Sequence, residues 1–233
     1  MKAIYSYLQD FFALFFPEPC VSCSTSLLKN ERSLCTSCIF HLPRTNFHLA
    51  SDNPAARTFW GRFPFIHAGA FVYFQKGTKV QRIVHQLKYN NKSESGFRMG
   101  ELYGQDIKDK QQSQNIDLII PVPLHPKRKR QRGYNQSEHI ALGLASVLKI
   151  PVSTTHLIKK LHTSTQTKKS RMARYENLKD AFFIQNSAEI EDKHILLIDD
   201  VITTGSTIEA CATALLELKN VRISIASIAF ARF

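Results

Sequence analysis

The chain has 233 residues, of which 43% are hydrophobic, enough for one well-formed core and a small appended module. Its net charge of +12 implies acidic partners such as nucleic acid, phosphorylated ligands or an anionic membrane surface, although a basic soluble protein without such partners has the same balance. No apolar run is long enough to span a bilayer, so we expect no transmembrane segment.

The first sixteen residues predict an amphipathic helix, with one lysine followed by a phenylalanine-rich stretch. Asp10 interrupts the apolar part and no small-residue cleavage site follows, so the segment does not have the pattern of a signal peptide. We therefore expect a cytoplasmic protein whose first helix docks on its own surface. A peripheral membrane anchor is the alternative, but the polar face lacks the basic cluster that such anchors carry.

Four cysteines lie in two close pairs, Cys20 with Cys23 and Cys35 with Cys38. Two pairs of thiolates at this spacing predict a tetrahedral Zn²⁺ site. Two disulfides or four unrelated thiols are the alternatives, and the lack of a secretory signal disfavours disulfides. His41 or His48 could replace one cysteine ligand. Four cysteine ligands leave no open position for a reacting water, so we expect a structural metal.

The stretch from residue 50 to 61 is polar and contains Pro54 and Gly61, which is typical of a linker. Residues 65–74 predict a strand, and apolar residues at helical spacing predict helices at 78–89 and 95–108. Lys88 lies at the end of the first of these helices. It could contact an anion, or simply complement the helix dipole.

Residues 117–121 predict a buried strand, and a strongly basic segment follows it. This segment is interpreted either as a solvated basic loop or as a contact for nucleic-acid phosphates. The residues that could contact nucleic acid are Lys127, Arg128, Lys129, Arg130, Arg132 and Tyr134. A helix at 137–148 and a short strand at 150–152 come next.

Residues 156–180 are hydrophilic and basic, and they predict a mobile loop that orders over a ligand. The side chains that could reach a pyrophosphate are Gln166, Lys168, Lys169, Arg171 and Arg174. The alternative is a surface loop whose charges only solvate it. Residues 181–184 predict another strand.

Residues 195–198 form an apolar, β-branched run that predicts a strand buried on both faces. Asp199 and Asp200 follow, then a turn of small residues at 203–207 and a helix from 208 to 219. Free amides at a helix start attract phosphate, and paired carboxylates can accept hydrogen bonds from vicinal ribose hydroxyls. A buried strand with an Asp-rich turn and a helix cap is the alternative, but the fixed offsets favour a phosphorylated sugar.

The stretch 195–207 resembles the phosphoribosyl-pyrophosphate (PRPP) motif of type I phosphoribosyltransferases. The resemblance implies that Asp199 and Asp200 hold the ribose 2′- and 3′-hydroxyls. It also implies that the turn holds the 5′-phosphate through Thr203, Thr204, Gly205, Ser206 and Thr207.

The predicted strands alternate with helices and with one long loop, and a last buried strand is predicted at 222–230. With right-handed crossovers this order predicts an α/β fold, a parallel sheet flanked by helices. We expect three units. They are an N-terminal helix with a zinc ribbon (1–50), a linker with a hood-like strand and helix region (51–115), and a phosphoribosyltransferase core (116–233).

A longer resemblance is to the ComF family, also labelled ComFC or GntX-like. It rests on LFFPEPCVSC with CTSC, LKY at 87–89, PVPLHPKRKRQRGYNQSE at 121–138, TQTKKSR at 165–171 and NLKDAF at 177–182. The family implies a zinc ribbon with four cysteine ligands, joined to a type I phosphoribosyltransferase domain. Some members are linked to natural competence, the uptake of single-stranded DNA. The resemblance does not supply an acceptor substrate.

The first hypothesis is therefore a phosphoribosyltransferase that binds PRPP with Mg²⁺ and transfers the phosphoribosyl group to an unknown acceptor. Asp199, Asp200 and Arg171 are the expected catalytic residues. The backbone at Val122 and Pro123, with Lys168 and Arg171, would neutralise the pyrophosphate. The alternative is a non-catalytic competence factor that binds PRPP and single-stranded DNA and works with DNA-uptake proteins.

Overall fold

The computed structural model describes residues 18–89, 93–108, 110, 115–159 and 181–231. The predicted N-terminal helix and most of the predicted mobile loop, with Lys168 and Arg171, lie outside the described residues. The roles given to those residues stay predictions.

Among the described residues the strands are β1 (His67–Phe74), β2 (Leu118–Pro121), β3 (Leu157–Lys159), β4 (Phe182–Ile184), β5 (His194–Ile202) and β6 (Arg222–Ala231). The helices are α1 (Thr36–Phe40), α2 (Pro54–Phe59), α3 (Lys79–Tyr89), α4 (Ser93–Ile107), α5 (Pro126–Arg132), α6 (Gln136–Leu148) and α7 (Ser206–Leu216). Short 3-10 turns lie at Phe47–Leu49 and Ser187–Glu189.

A parallel sheet with the strand order β1-β6-β5-β2 forms the centre of the molecule, which confirms the predicted α/β fold. The predicted buried run lies in β5, where Ile195 pairs with Ile223 of β6 and with Leu118 of β2. A strand with neighbours on both edges and helices on both faces must be apolar on both faces, as this one is. Because β1 pairs with β6 along its length, residues from the predicted hood-like region complete the sheet.

Two hydrophobic cores cover the two faces of the sheet. Leu196 and Ile198 pack in one core with residues of α3, α4 and α6. Ile195 and Leu197 pack in the other with residues of α2 and α7. The alternation along β5 follows from the period of two of an extended chain.

Residues 50–61 are not simply a linker, because they contain α2. Asn53 caps this helix, its Oδ1 accepting hydrogen bonds from the amides of Ala55 and Ala56 at 3.0 Å. Pro54 occupies the first helical position, where its missing N–H costs nothing. Phe59 at the end of α2 is fully buried, so this segment is an integral part of the second core.

Three local predictions between residues 126 and 160 need correction. The basic segment is the helix α5 rather than a loop, with Pro126 at its start and Gly133 (φ 79°) after its end. The strand predicted at 150–152 is reduced to a single parallel bridge between Val152 and Ile119. The predicted loop at 156–180 begins with β3, which pairs with β4 in a two-stranded antiparallel sheet.

Helices α4 and α6 approach each other closely through glycines. A Cβ added at Gly143 would lie 2.0 Å from the carbonyl oxygen of Phe97, and one added at Gly100 would lie 2.2 Å from that of Ile140. Side chains at these positions would push the two backbones apart. The contact places the N-terminus of α6 beside the carboxyl ends of β2 and β5.

We expect Gly143→Ala to lower the free energy of unfolding by about 3 kcal/mol, because the methyl group meets backbone that cannot move aside. Gly104→Ala is the matched control in the same contact. Its Cβ would lie 3.0 Å from the Cβ of Val147, so we expect a loss below about 1 kcal/mol. Urea denaturation followed by circular dichroism measures both, and equal losses would contradict this account.

Candidate functional site

The acidic pair lies within β5 rather than after it. Asp199 is in register with Ser227 of β6, and the strand continues to Ile202. On the other edge of β5, Pro121 of β2 pairs with Ile198. The segment that follows β2 therefore lies beside the acidic pair, at the carboxyl edge of the sheet where ligands of open α/β folds bind.

Each carboxylate of the pair has its own partners. Asp199 Oδ1 accepts hydrogen bonds from the Ser137 hydroxyl at 3.1 Å and from the Asp200 amide at 2.8 Å. Asp200 Oδ2 lies 3.0 Å from the ammonium nitrogen of Lys88. Burial, and then the charge of Asp200, raise the pKa of Asp199 to about 7. Burial and the neighbouring charge therefore disfavour the ionised form of Asp199.

The turn at 203–207 leads directly into α7. Gly205 has a φ of 74°, and a Cβ there would lie 2.6 Å from the ring of Phe59, so both the backbone and the packing require glycine. Gly205 is the N-cap residue of α7 and has no side chain that could accept a hydrogen bond from the first amides of the helix. Those amides, with the hydroxyls of Thr204 and Ser206 3.0 Å apart, form a set of donors suited to a phosphate.

Arg62 contacts the backbone of this turn. No pattern in the sequence pointed to this residue. Its Nη1 donates a hydrogen bond to the Thr204 carbonyl at 2.7 Å and lies 3.4 Å from Glu209 Oε2. Arg62 stands just after α2, so the segment that was predicted as a linker positions the turn.

The backbone after β2 is tied to the same site. The Val122 amide donates to the Ile198 carbonyl at 2.8 Å, and the Val122 carbonyl accepts from Asn135 Nδ2 at 3.0 Å. Asn135 also caps α6, its side chain accepting from the Ser137 amide at 3.1 Å. Val122 and Pro123, predicted to face a pyrophosphate, thus lie close to Asp199.

Tyr134 does not have the environment predicted for it. The residue is only 7% exposed, and its hydroxyl donates a hydrogen bond to the Leu87 carbonyl at 2.6 Å. A ring buried in this way offers no face on which a nucleic-acid base could stack. Tyr134 instead connects the start of α6 to the end of α3.

The other predicted nucleic-acid contacts lie on α5. Lys127, Arg128 and Arg130 are exposed, whereas Lys129 pairs with Glu138 at 2.8 Å. Arg132 is partly buried and donates to Gln136 Oε1 at 3.1 Å.

A cavity of about 610 Å³ lies between α5, the segment after β2 and the strand β3. Lys129, Arg130 and Lys159 are the cations in its lining. Burial lowers the pKa of Lys159. Glu138 also lines the cavity and pairs with Lys129, so the lining has one carboxylate against three basic side chains and a net positive formal charge.

The four cysteines come together near the start of the described chain. The four sulfur atoms all lie within 4.8 Å of one another, and Cys23 Sγ is 3.7 Å from Cys35 Sγ. Sulfurs of a tetrahedral zinc site are roughly 3.8 Å apart for Zn–S bonds of about 2.3 Å, so the donor set fits. None of the four forms a disulfide. Among the described residues this cluster contains neither His41 nor His48.

The cysteine cluster is joined to the main fold. Cys20 and Cys38 pack in the same hydrophobic core as Ile83 of α3 and Met99 of α4. Arg32, between the cysteine pairs, forms an ion pair with Glu101 of α4 at 3.2 Å. The ribbon therefore supports the face of the sheet on which α3 lies.

Within the ranges that the structure describes, no helix has both the length and the apolar character needed to cross a membrane.

Comparison with known proteins identifies the class of domain that contains the site. The model of the phosphoribosyl transferase domain matches residues 135–232, which include α6, the acidic pair and the turn. The chain therefore contains a phosphoribosyl transferase domain.

Similarity to curated relatives extends beyond this domain. DNA utilization protein YhgH of Escherichia coli (strain K12) is 28% identical over 200 residues, 84% of this chain and 83% of that protein. Competence protein F of Haemophilus influenzae is 33% identical over 141 residues, 58% of this chain and 61% of that protein. Competence protein ComFC of Bacillus subtilis is 34% identical over 115 residues, 49% of this chain and 44% of that protein. The chain is a homologue of these proteins, which are named for DNA utilization and competence, and this confirms the resemblance seen in the sequence.

Solved phosphoribosyltransferases are more distant. Glutamine phosphoribosylpyrophosphate amidotransferase from B. subtilis has a TM-score of 0.41 and 19% identity, covering 61% of this chain and 30% of that one. Purine phosphoribosyltransferase from Pyrococcus horikoshii has a TM-score of 0.34 and 19% identity, covering 68% of this chain and 77% of that one. Scores of this size carry no functional conclusion.

Proposed function

We propose that this protein binds PRPP at the carboxyl edge of β5 and β2 and transfers its phosphoribosyl group to an acceptor. One observation carries the proposal. The acidic pair, the donor-rich turn at 203–207 and the Val122–Pro123 backbone lie at one edge of the sheet, within a phosphoribosyl transferase domain.

In this proposal the chain's own groups each have a task. The free amides of α7 and the turn hydroxyls bind the 5′-phosphate. Asp199 and Asp200 accept hydrogen bonds from the ribose hydroxyls and so orient the anomeric carbon. The bond from that carbon to pyrophosphate breaks as the acceptor's lone pair forms a new bond. The Val122 amide already donates to the Ile198 carbonyl and Pro123 has no N–H, so the Leu124 amide is the first in this segment that could stabilise the charge on the leaving oxygen.

Mg²⁺ fits the donor set, because Asp199 and Asp200 provide the oxygen ligands that this ion prefers. When bound with PRPP it would supply charge neutralisation for the pyrophosphate. Lys168 and Arg171 are proposed to add positive charge on the same side. The acceptor is a nucleophile that the residues named here do not specify.

Titration calorimetry of the purified protein with PRPP and Mg²⁺ tests this proposal. We expect saturable binding by the wild type and at least a hundredfold weaker binding by Asp199→Asn, Asp200→Asn, since two charge-assisted contacts are lost, each roughly 1.5–3 kcal/mol. Asp192→Asn is the control, an exposed carboxylate at a turn with φ 60° that asparagine also adopts. Binding by the double variant that equals the wild type would refute the proposal.

The cysteine cluster is proposed to hold a structural Zn²⁺ ion, because its sulfurs have tetrahedral spacing and no ligand position is left for chemistry. We expect Cys38→Ser to lose the metal and to lower the unfolding temperature of the whole domain, since the ribbon shares a core with α3 and α4. Cys211→Ala changes a buried cysteine outside the cluster and should keep one zinc per chain. Atomic emission and thermal denaturation measure both effects. Full zinc content in Cys38→Ser would contradict the assignment.

A second candidate function is binding of single-stranded DNA. The exposed cations of α5 and the cationic cavity beside them favour it, as do relatives named for competence and DNA utilization. In this function the phosphate backbone of the DNA lies along α5. The end of the DNA strand could then reach the phosphoribosyl site and serve as the acceptor. Contacts of this kind release counterions, so affinity falls steeply with salt.

We expect a combined change of Lys127, Arg128 and Arg130 to Gln to weaken oligonucleotide binding and to reduce the salt slope by roughly two units. A matched control changes three exposed lysines elsewhere, at Lys76, Lys79 and Lys219, to Gln. Fluorescence anisotropy with a labelled thymidine oligonucleotide at several salt concentrations measures both. Equal loss in the two variants would show that only net charge matters, and would remove α5 as the binding surface.

A further inference from the structure

Arg62 brings a positive charge to the start of α7, where the turn at 203–207 meets the helix. Its Nη1 donates to the Thr204 carbonyl at 2.7 Å and lies 3.4 Å from Glu209 Oε2. The side chains of this ion pair are 36% and 11% exposed, whereas those of the surface pair Arg57 and Asp52 are 60% and 57% exposed. The Arg62 charge therefore acts on Glu209 with less screening by water than a surface ion pair has.

The backbone of Arg62 is fixed by the helix that precedes it. Its amide donates to the Phe59 carbonyl at 3.1 Å, at the end of α2. The Phe59 side chain is fully buried, and a Cβ added at Gly205 would lie 2.6 Å from its ring. The cap residue of α2, Asn53, donates through Nδ2 to the Ala68 carbonyl of β1 at 3.0 Å. The sheet, α2 and the turn therefore pack together, and they hold Arg62 beside the start of α7.

Glu209 is unfavourable for phosphate binding at this helix start. The residue is buried in the first turn of α7, and its amide closes the first helical hydrogen bond with the Gly205 carbonyl at 2.9 Å. Because one nitrogen of Arg62 contacts both Glu209 and the Thr204 carbonyl, the carboxylate lies beside the turn. A carboxylate there interacts with the same helix dipole that attracts phosphate, and it repels an anionic ligand. Phosphate therefore binds more strongly when a cation offsets the charge of Glu209.

We propose that Arg62 compensates the charge of Glu209 and so allows the start of α7 to bind phosphate. The proposal rests on the proposed phosphoribosyl function, in which the turn at 203–207 holds the 5′-phosphate. The guanidinium donates to two acceptors, the Thr204 carbonyl and the Glu209 carboxylate, and leaves the donors of the turn to the ligand. Arg62 is thus a positioning residue, because it acts on the phosphate through Glu209 and the turn.

Titration with inorganic phosphate, followed by the amide NMR signals of residues 203–207, tests this role without PRPP. We expect saturable shifts in the wild type and roughly tenfold weaker binding in Arg62→Met, because the charge of Glu209 is then uncompensated beside the ligand. Arg57→Met is the matched control. It removes an arginine of α2 that also pairs with a carboxylate, and it should leave phosphate binding unchanged. Wild-type affinity in Arg62→Met would overturn the proposal.

A second change separates charge compensation from support of the fold. The double variant Arg62→Met, Glu209→Gln lacks both charges, so we expect its phosphate affinity to return to within about threefold of the wild type. If Arg62 only supported the turn, Glu209→Gln would not repair the loss. A double variant that binds phosphate as weakly as Arg62→Met would therefore overturn the proposal.

Calorimetry with PRPP and Mg²⁺ on the same four proteins extends the test to the proposed ligand, and we expect the same order of affinities. If the wild type binds inorganic phosphate at the turn but does not bind PRPP, the proposed function fails, and the phosphate series still decides the role of Arg62. If inorganic phosphate leaves the signals of residues 203–207 unchanged in the wild type, the turn is not a phosphate site and the proposal on Arg62 is overturned.

Discussion

Adjacent carboxylates at the end of a buried strand repel each other, and the parts of the fold around β5 are arranged to offset that repulsion. Asp199 receives a hydroxyl hydrogen bond from the start of α6, and Asp200 receives an ammonium group from the end of α3. The same helix start is capped by Asn135, which also holds the backbone that follows β2. Stabilising the pair therefore fixes the neighbouring strand end as well. Placing two carboxylates together costs free energy, and a ligand that donates hydrogen bonds to both of them would offset that cost.

The groups around the pair come from all parts of the described chain. The ribbon packs in one core with α3, α3 carries Lys88, and α2 with Arg62 holds the turn at 203–207 from the other side. The glycines of α4 and α6 bring the two helices close enough for α6 to begin beside β5. The residues before 116 therefore contribute to the candidate site. They complete the sheet through β1, and they supply both a cation beside the acidic pair and a support for the turn at 203–207.

The local features of the site could be predicted from sequence, because each is encoded by neighbouring residues. The buried run at 195–198, the two aspartates and the turn with Gly205 occupy thirteen consecutive positions, and the two cysteine pairs are equally compact.

Contacts between distant segments could not be predicted. Lys88 had two plausible roles at a helix end, and only the position of α3 over β5 distinguishes them. Tyr134 stands among cations in the sequence, which suggested nucleic-acid stacking, whereas packing against the end of α3 buries it. The capped helix α2 was missed because its short, polar sequence is also typical of a linker.

The central claim is that a phosphoribosyl ligand binds at the acidic pair and the turn. Amide NMR of the labelled protein, with PRPP and Mg²⁺ added in steps, measures this residue by residue. The account predicts that the largest shifts fall on the amides of 203–207, Asp200 and Val122, and that they saturate together at one ligand per chain. Shifts confined to α5, with the turn and the acidic pair unchanged, would contradict it and would indicate a general polyanion site instead.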